Sequence, residues 1–316
     1  MTGPEAREPA ERPAVPPASG PSGGAPTGAP DPRASTVSRA SPASPSATAS
    51  PSATASGSAT ASPDSRADAG TPAPPVWLED ASLPGPWVPG SGPRLWAVRV
   101  SAYRRRAGRD EGLLDEGERA RCRQFVREAD RDRYRVAHVA LRRLLGASLA
   151  CAPEAVRLVR EACPGCGGPH GRPAVAGAPL HFSLSHAGDV VLLGFADRPV
   201  GVDVEAAPAS GTAEEVAAVL HPAERAELAE LPGRDRPAAF ARCWVRKEAY
   251  LKGVGIGLGE DPAVSYVGTG AVPASLPGWS LADVPVPRGY AAACAVARPR
   301  PVGGAGDAAR RTGLGN

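Results

Sequence analysis

The sequence predicts an α+β domain in the middle of the chain, and three observations carry that prediction. Strand-like and helix-like segments follow one another without the regular alternation of a parallel α/β sheet. Residues 1–75 are built from Ala, Pro, Ser, Gly and Thr, with near-repeats such as ATASPSATASGSATAS and almost no large apolar side chain. Such a segment cannot bury enough surface to offset its ordering entropy and reads as a disordered tail. Residues 300–316, within RPRPVGGAGDAARRTGLGN, read likewise. The folded part is therefore expected over residues 76–299, enough for one large core or two small ones side by side.

Within it, residues 93–103, PRLWAVRVSAY, put β-branched and aromatic residues behind a Gly-Pro stop and read as a first strand. Residues 115–150 are polar and Arg-rich with apolar residues at helical spacing. Phe125, Tyr134, Val136, Val139, Ala140, Leu144 and Leu145 are expected on the buried side of one or two helices. In LHFSLSHAGDVVLLGFAD two apolar runs flank HAGD, the pattern of a hairpin. RPVGVDVEAA, residues 198–207, reads as another strand with Val200, Val202 and Val204 on one face and Gly201, Asp203 and Glu205 on the other. Helices are expected around 213–220, 222–231 and 236–252, the last stopped by the glycines of GVGIGLG. WSLADVPV and YAAACAVA close the domain as strands.

Composition excludes several classes of function. No window reaches the roughly 20 apolar residues of a membrane span and no apolar run resembles a signal-peptide core, so the cytoplasm is the expected location. A net charge of +3 gives no case for a nucleic-acid binder. Six cysteines without a secretory signal point to free thiols or a metal site rather than a disulfide framework. Of the 36 Lys and Arg residues only Lys247 and Lys252 are lysine. In a chain whose Ala and Arg content suggests a GC-rich coding bias, they draw attention to WVRKEAYLKG.

Several residue groups there and nearby offer chemistry. Asp203 and Glu205 project from one strand face about 7 Å apart, a repulsive pair unless solvent or a cation relieves it. Oxygen-only ligands suit Mg²⁺, while an exposed edge strand with solvated acids is the plainer reading. Trp244, Glu248 and Lys252 share a helix face by their spacing of four. This is either a surface ion pair beside a Trp or a metal ligand or base with a cation for phosphate. Ser185 and His186 sit at the hairpin, with no Asp in sight to complete a hydrolase triad. GVGIGLG follows a helix instead of opening one and lacks the lysine of a phosphate loop. CPGCGGPHG places Cys163, Cys166 and His170 close enough to begin a zinc site, which only a further ligand from elsewhere, such as Cys122 or Cys151, would complete; the alternative is a free-thiol loop.

In chain order GRP, FSLSHAGD, GVDVE and WVRKEAYLKGVGIGL resemble the successive motifs of the 4′-phosphopantetheinyl transferases, of the monomeric, surfactin-synthetase-activating type. The resemblance spans residues 96–296 and leaves the N-terminal tail outside. It implies two pseudo-symmetric α+β halves: residues 76–198, binding the coenzyme A nucleotide, and residues 199–299, carrying the metal and catalytic motifs. It also implies transfer of phosphopantetheine from coenzyme A to a serine of an apo acyl or peptidyl carrier protein, with release of adenosine 3′,5′-bisphosphate. By resemblance Asp203, Glu205 and Glu248 hold Mg²⁺ and Lys252 contacts the reacting phosphates; on the chemistry Glu248 is the expected base among the acids, a role that competes with metal ligation. Arg142, Arg172, Ser185 and His186 bind the coenzyme's phosphates. Arg172 in GRP stands where relatives have GKP, and FSLSH where many have FNISH; an arginine still supplies positive charge. Arginines along residues 119–143 are expected to meet an acidic carrier helix. A non-catalytic coenzyme A or carrier-binding module on the same fold is the alternative, against which the full set of acids and lysines argues.

Overall fold

A computed structural model describes residues 72–208, 217–256 and 261–299. The expected tails lie outside the described residues save for the inner end at 72–75 on one side, as do residues 213–216 of the helix expected at 213–220 and part of GVGIGLG; the described remainder of that helix is a 3-10 turn, Ala217–Val219. The described residues all belong to one unit, Pro63–Asn316.

The chain is α+β. The first strand, β1 (Val76–Trp77), pairs in parallel with β2 (Arg94–Arg99). Residues 93–103 do not continue as a strand. Helix α1 (Val100–Arg109) begins at once, because Val100, Tyr103 and Ala107 repeat at helical spacing and bury together. The side chain of Asp189 accepts from the amide and hydroxyl of Ser101 in its first turn. The segment expected as one or two helices forms two, α2 (Glu116–Gln124) and α3 (Glu128–Leu149). Val136, Val139, Ala140, Leu144 and Leu145 are fully buried, while Phe125 and Tyr134 are half-buried and pack on each other. A small pair, β3 (Leu158–Arg160) and β4 (Pro173–Val175), brackets the Cys-rich loop. The expected hairpin follows as β5 (His181–Ala187) and β6 (Val190–Ala196), turned by Gly188 and Asp189, with Gly188 at φ +51°. Strand β7 (Val200–Ala206), helices α4 (Pro222–Glu230) and α5 (Arg236–Val254), and strands β8 (Trp279–Asp283) and β9 (Tyr290–Ala297) complete it.

Two sheets, in order β1-β2-β6-β5 and β7-β9-β8, stack between helices. Alternation along β6 explains why both its faces are buried: Val191, Leu193 and Phe195 join the core under α1 and α3, and Val190, Leu192 and Ala196 join the inter-sheet core with Val200, Val202 and Val204. On the far side of the second sheet α5 packs Val245 and Ala249 against Ala293 and Ala295. That leaves Gly201, Asp203 and Glu205 facing α5. A Cβ on Gly201 would overlap the Ala249 carbonyl oxygen and the Gly253 amide, so only glycine admits this approach of helix to strand. β5 and β7 are sheet edges, joined by side chains: Ser183 Oγ accepts from the Val202 amide at 3.0 Å and Ser185 Oγ from the Val204 amide at 3.4 Å. No described helix is long and apolar enough to cross a membrane.

Candidate active site

The site forms where β5, β7 and α5 converge. Asp203 is 2 % exposed. Its Oδ1 accepts from Ser185 Oγ at 2.7 Å and from Lys252 Nζ at 2.6 Å, and Lys252 also donates to Ser185 Oγ at 3.1 Å. Its Oδ2 is buried without a hydrogen-bond partner, a costly state for a carboxylate oxygen. Around this cluster Ser185, His186, Asp203, Glu205, Trp244, Glu248, Lys252 and Leu184 line a cavity of about 430 Å³. Trp244, Glu248 and Lys252 thus present one face of α5 to the cavity, with Trp244 stacked on Phe240 at 6.1 Å.

Electrostatics make this cavity short of positive charge. Burial, then repulsion from Asp203, raises the Glu205 carboxyl above its ordinary range; Lys252 opposes the rise and Glu248 adds to it. Glu248 is raised by burial and by Asp203, again opposed by Lys252. Desolvation, with the charges of Arg133, His138 and Lys252, keeps the His186 imidazole below its usual pKa and hence neutral near pH 7. The donor set of Asp203, Glu205 and Glu248 is oxygen only, as Mg²⁺ prefers, and a cation on Asp203 Oδ2 would satisfy the orphaned oxygen. The residues therefore fit the ion. In the present arrangement Lys252 neutralises Asp203, and the three acids' oxygens do not all lie within 4.8 Å of one another.

A second cavity of about 570 Å³ adjoins the first and shares Leu184 and Lys252 with it. Asp115, Glu118 and His138 form one wall, Arg160, His170 and Arg172 another. Arg172 donates through Nε and Nη2 to Glu161 and through Nη1 to the Gly253 carbonyl at 2.7 Å, so it also caps the C-terminal end of α5. That helix stops at Gly255, at φ +88°.

Arg142 lines neither cavity. It is 1 % exposed and gives Nε to Glu118 at 2.5 Å, Nη2 to Asp115 at 2.6 Å, and Nη1 to the carbonyls of Pro153 and Val156. Its guanidinium stands behind the acidic wall and fixes it. Lys247 faces away from the site altogether: buried, it pairs with Glu224 at 2.7 Å and donates to the Ser265 carbonyl. Asp115, Glu118 and His138 were not singled out in the sequence, although Asp-x-x-Glu before a helix is the spacing of the capping box that Asp115 and Glu118 form at α2. Cys163, Cys166 and His170 do come together, without Cys122 or Cys151.

Comparisons with known proteins bear on the same region. Residues 199–274 match the family model described as the 4′-phosphopantetheinyl transferase superfamily. The chain is 31% identical over 214 residues, 61% of its length and 72% of the relative's, to a phosphopantetheinyl transferase of Thraustochytrium sp.. The chain belongs to the 4′-phosphopantetheinyl transferase family. The transferase HetI of Nostoc sp. is 29% identical over 212 residues, covering 64% of this chain and 86% of HetI. The transferase Sfp of Bacillus subtilis is 25% identical over 150 residues, 46% of this chain and 62% of Sfp. The family match contains β7, α4 and α5. All the acids of the smaller cavity and both lysines of this phosphopantetheinyl transferase therefore lie inside it.

Proposed function

We propose that this transferase moves the 4′-phosphopantetheine arm of coenzyme A onto a serine of an apo acyl or peptidyl carrier protein, releasing adenosine 3′,5′-bisphosphate. The observation that carries the proposal is the buried Asp203 in the smaller cavity, one oxygen unpartnered and the other held by Lys252, which both cavities share. The larger has the size of a ligand site and takes the nucleotide of coenzyme A beside Arg172. Ser185 and His186 line the smaller cavity with the acids. The pyrophosphate then lies near Lys252, which both cavities share.

Asp203, Glu205 and Glu248 are the residues that would hold Mg²⁺, which when bound neutralises charge on the phosphoryl oxygens. Glu248, raised toward neutrality, is the base: its carboxylate takes the proton of the carrier serine as the serine oxygen bonds to the phosphorus that bears the pantetheine arm. The bond from that phosphorus to the bridging oxygen breaks, and its electrons leave on the nucleotide phosphate. Lys252, whose compact ammonium can move from Asp203, donates to that oxygen. Exposed arginines such as Arg121, Arg123 and Arg127 would face the acidic helix of a carrier.

We read the two sheet-and-helix units, residues 76–198 and 199–299, as the pseudo-symmetric halves of a cytoplasmic monomer. A non-catalytic binding module is not favoured, since such a module has no need of a base, a metal triad and a mobile lysine together. Incubation of the protein with coenzyme A, Mg²⁺ and apo carriers from fatty acid, polyketide and nonribosomal peptide synthesis tests the reading by mass spectrometry. The carrier should gain the mass of phosphopantetheine, and Asp203→Ala or Glu248→Gln should abolish the gain while circular dichroism stays unchanged. Undiminished transfer by either variant would remove the metal and base assignments, and no transfer by the parent chain to any carrier would remove the reading.

A further inference from the structure

We propose that Cys163, Cys166 and His170, in the loop between β3 and β4, form a zinc site with water completing the coordination. Their ligand atoms all lie within 4.8 Å of one another, and Cys166 Sγ stands 2.9 Å from His170 Nε2. In a tetrahedral site with Zn–S of about 2.3 Å and Zn–N of about 2.0 Å, neighbouring ligand atoms are about 3.5–3.8 Å apart. A small adjustment of side chains therefore suffices.

The loop backbone is organised around these groups. The Cys163 amide donates to the Gly168 carbonyl at 2.7 Å and the Gly167 amide to the Cys163 carbonyl at 2.8 Å. Gly167 takes φ +74°, and a Cβ on Gly168 would press on the His170 ring at 2.9 Å and the Cys166 sulfur at 3.4 Å. Glycine at both positions is what lets thiol and imidazole meet. Two thiolates and an imidazole select zinc over Mg²⁺, so the site is chemically separate from the carboxylates around Asp203. Cys163 is buried while Cys166 and His170 are exposed, which leaves the fourth position to solvent.

The site has a mechanical consequence. Gly171 donates to the Glu161 carbonyl and Glu161 to the Arg172 carbonyl, each at 2.9 Å, so the loop closes directly onto Arg172. A metal clamp there would hold His170 and Arg172 against the larger cavity.

The test reads metal directly, without coenzyme A or carrier, and so fails or succeeds apart from the transferase reading. The full chain, kept in a phosphine reductant and given equimolar zinc, should retain about one zinc per chain after gel filtration. Cys163→Ser and Cys166→Ser should each lower retention at least tenfold, His170→Ala should weaken it, and Cys122→Ser and Cys151→Ser should leave it intact. Cobalt loading should give the thiolate charge-transfer band of a tetrahedral sulfur site in the parent and not in the Cys163→Ser/Cys166→Ser double variant. Failure of the parent to retain zinc, or equal retention by the double variant, would overturn the proposal.

Discussion

Lys247 and Lys252 stand five residues apart on α5, about 140° around the helix, and so meet opposite environments. Rarity of lysine marked both, but helical spacing separates them: Lys252 follows Glu248 by four and shares its face, whereas Lys247 does not. What the sequence could not supply is the partner of Lys247, since Glu224 lies on another helix and reaches it only through tertiary packing. Glu224 is fully buried and also accepts from the amides of Val267 and Gly268. Lys247→Ala should therefore strand a buried carboxylate and cost about 3–5 kcal/mol of stability. The protein that stays folded should keep kcat. Lys252→Ala also takes the cation from a buried carboxylate, Asp203, so it too should lower stability, but unlike Lys247→Ala it should lose nearly all transfer in the protein that stays folded. Melting curves beside rates of carrier modification distinguish the two, and a Lys247→Ala protein with parental melting temperature would refute the division of labour. Arg142 teaches the same lesson: its motif position was legible, but not the two carboxylates that occupy its guanidinium.

Elements were legible where apolar periodicity was long and regular. The α3 helix, the β5–β6 hairpin, β7, α5 and the closing strands all appear near their expected places. At residues 100–103 Val, Ala and Tyr taken alone suit either state, and the helix follows from their spacing with Ala107 together with Asp189, distant in sequence, which engages the first turn of α1. The approach of α5 to β7 was equally invisible, since a lone Gly in a strand only hints at close backbone contact. Gly201 is nonetheless what brings Glu248 and Lys252 to Asp203. Because the atoms a new Cβ would strike are backbone atoms, Gly201→Ala cannot be absorbed by a rotamer change. It should cost at least about 1–3 kcal/mol and, by displacing α5 from β7, lower kcat about 100-fold even in the folded fraction. An alanine variant with unchanged kcat would show that the catalytic groups do not depend on this contact.

Across the whole molecule, carboxylates of opposite character set how stability varies with pH. Burial works against the charged form of Glu118, but hydrogen bonds from His138, the Asp115 amide and Arg142 outweigh it and leave the carboxyl below its ordinary pKa. Such a group binds fewer protons folded than unfolded. Its stabilisation is complete above the unfolded value and is lost as pH falls through the lower folded one. Glu205 and Glu248 have the reverse sign: raised in the folded protein, they impose a penalty that is absent below the unfolded value and complete above the folded one. The first arrangement ties α2 to α3, and the second is tolerated in the smaller cavity, where function outweighs stability. With a chelator present, Glu118→Gln should lower the melting temperature at pH 7 and flatten its decline on acidification. Glu248→Gln should raise the melting temperature at pH 7 by a few degrees, lose that advantage below about pH 4, the ordinary range of the carboxyl, and abolish transfer. Melting curves from pH 3 to 8 decide it, and a Glu248→Gln protein less stable than its parent at pH 7 would mean that Lys252 outweighs burial and repulsion at this site.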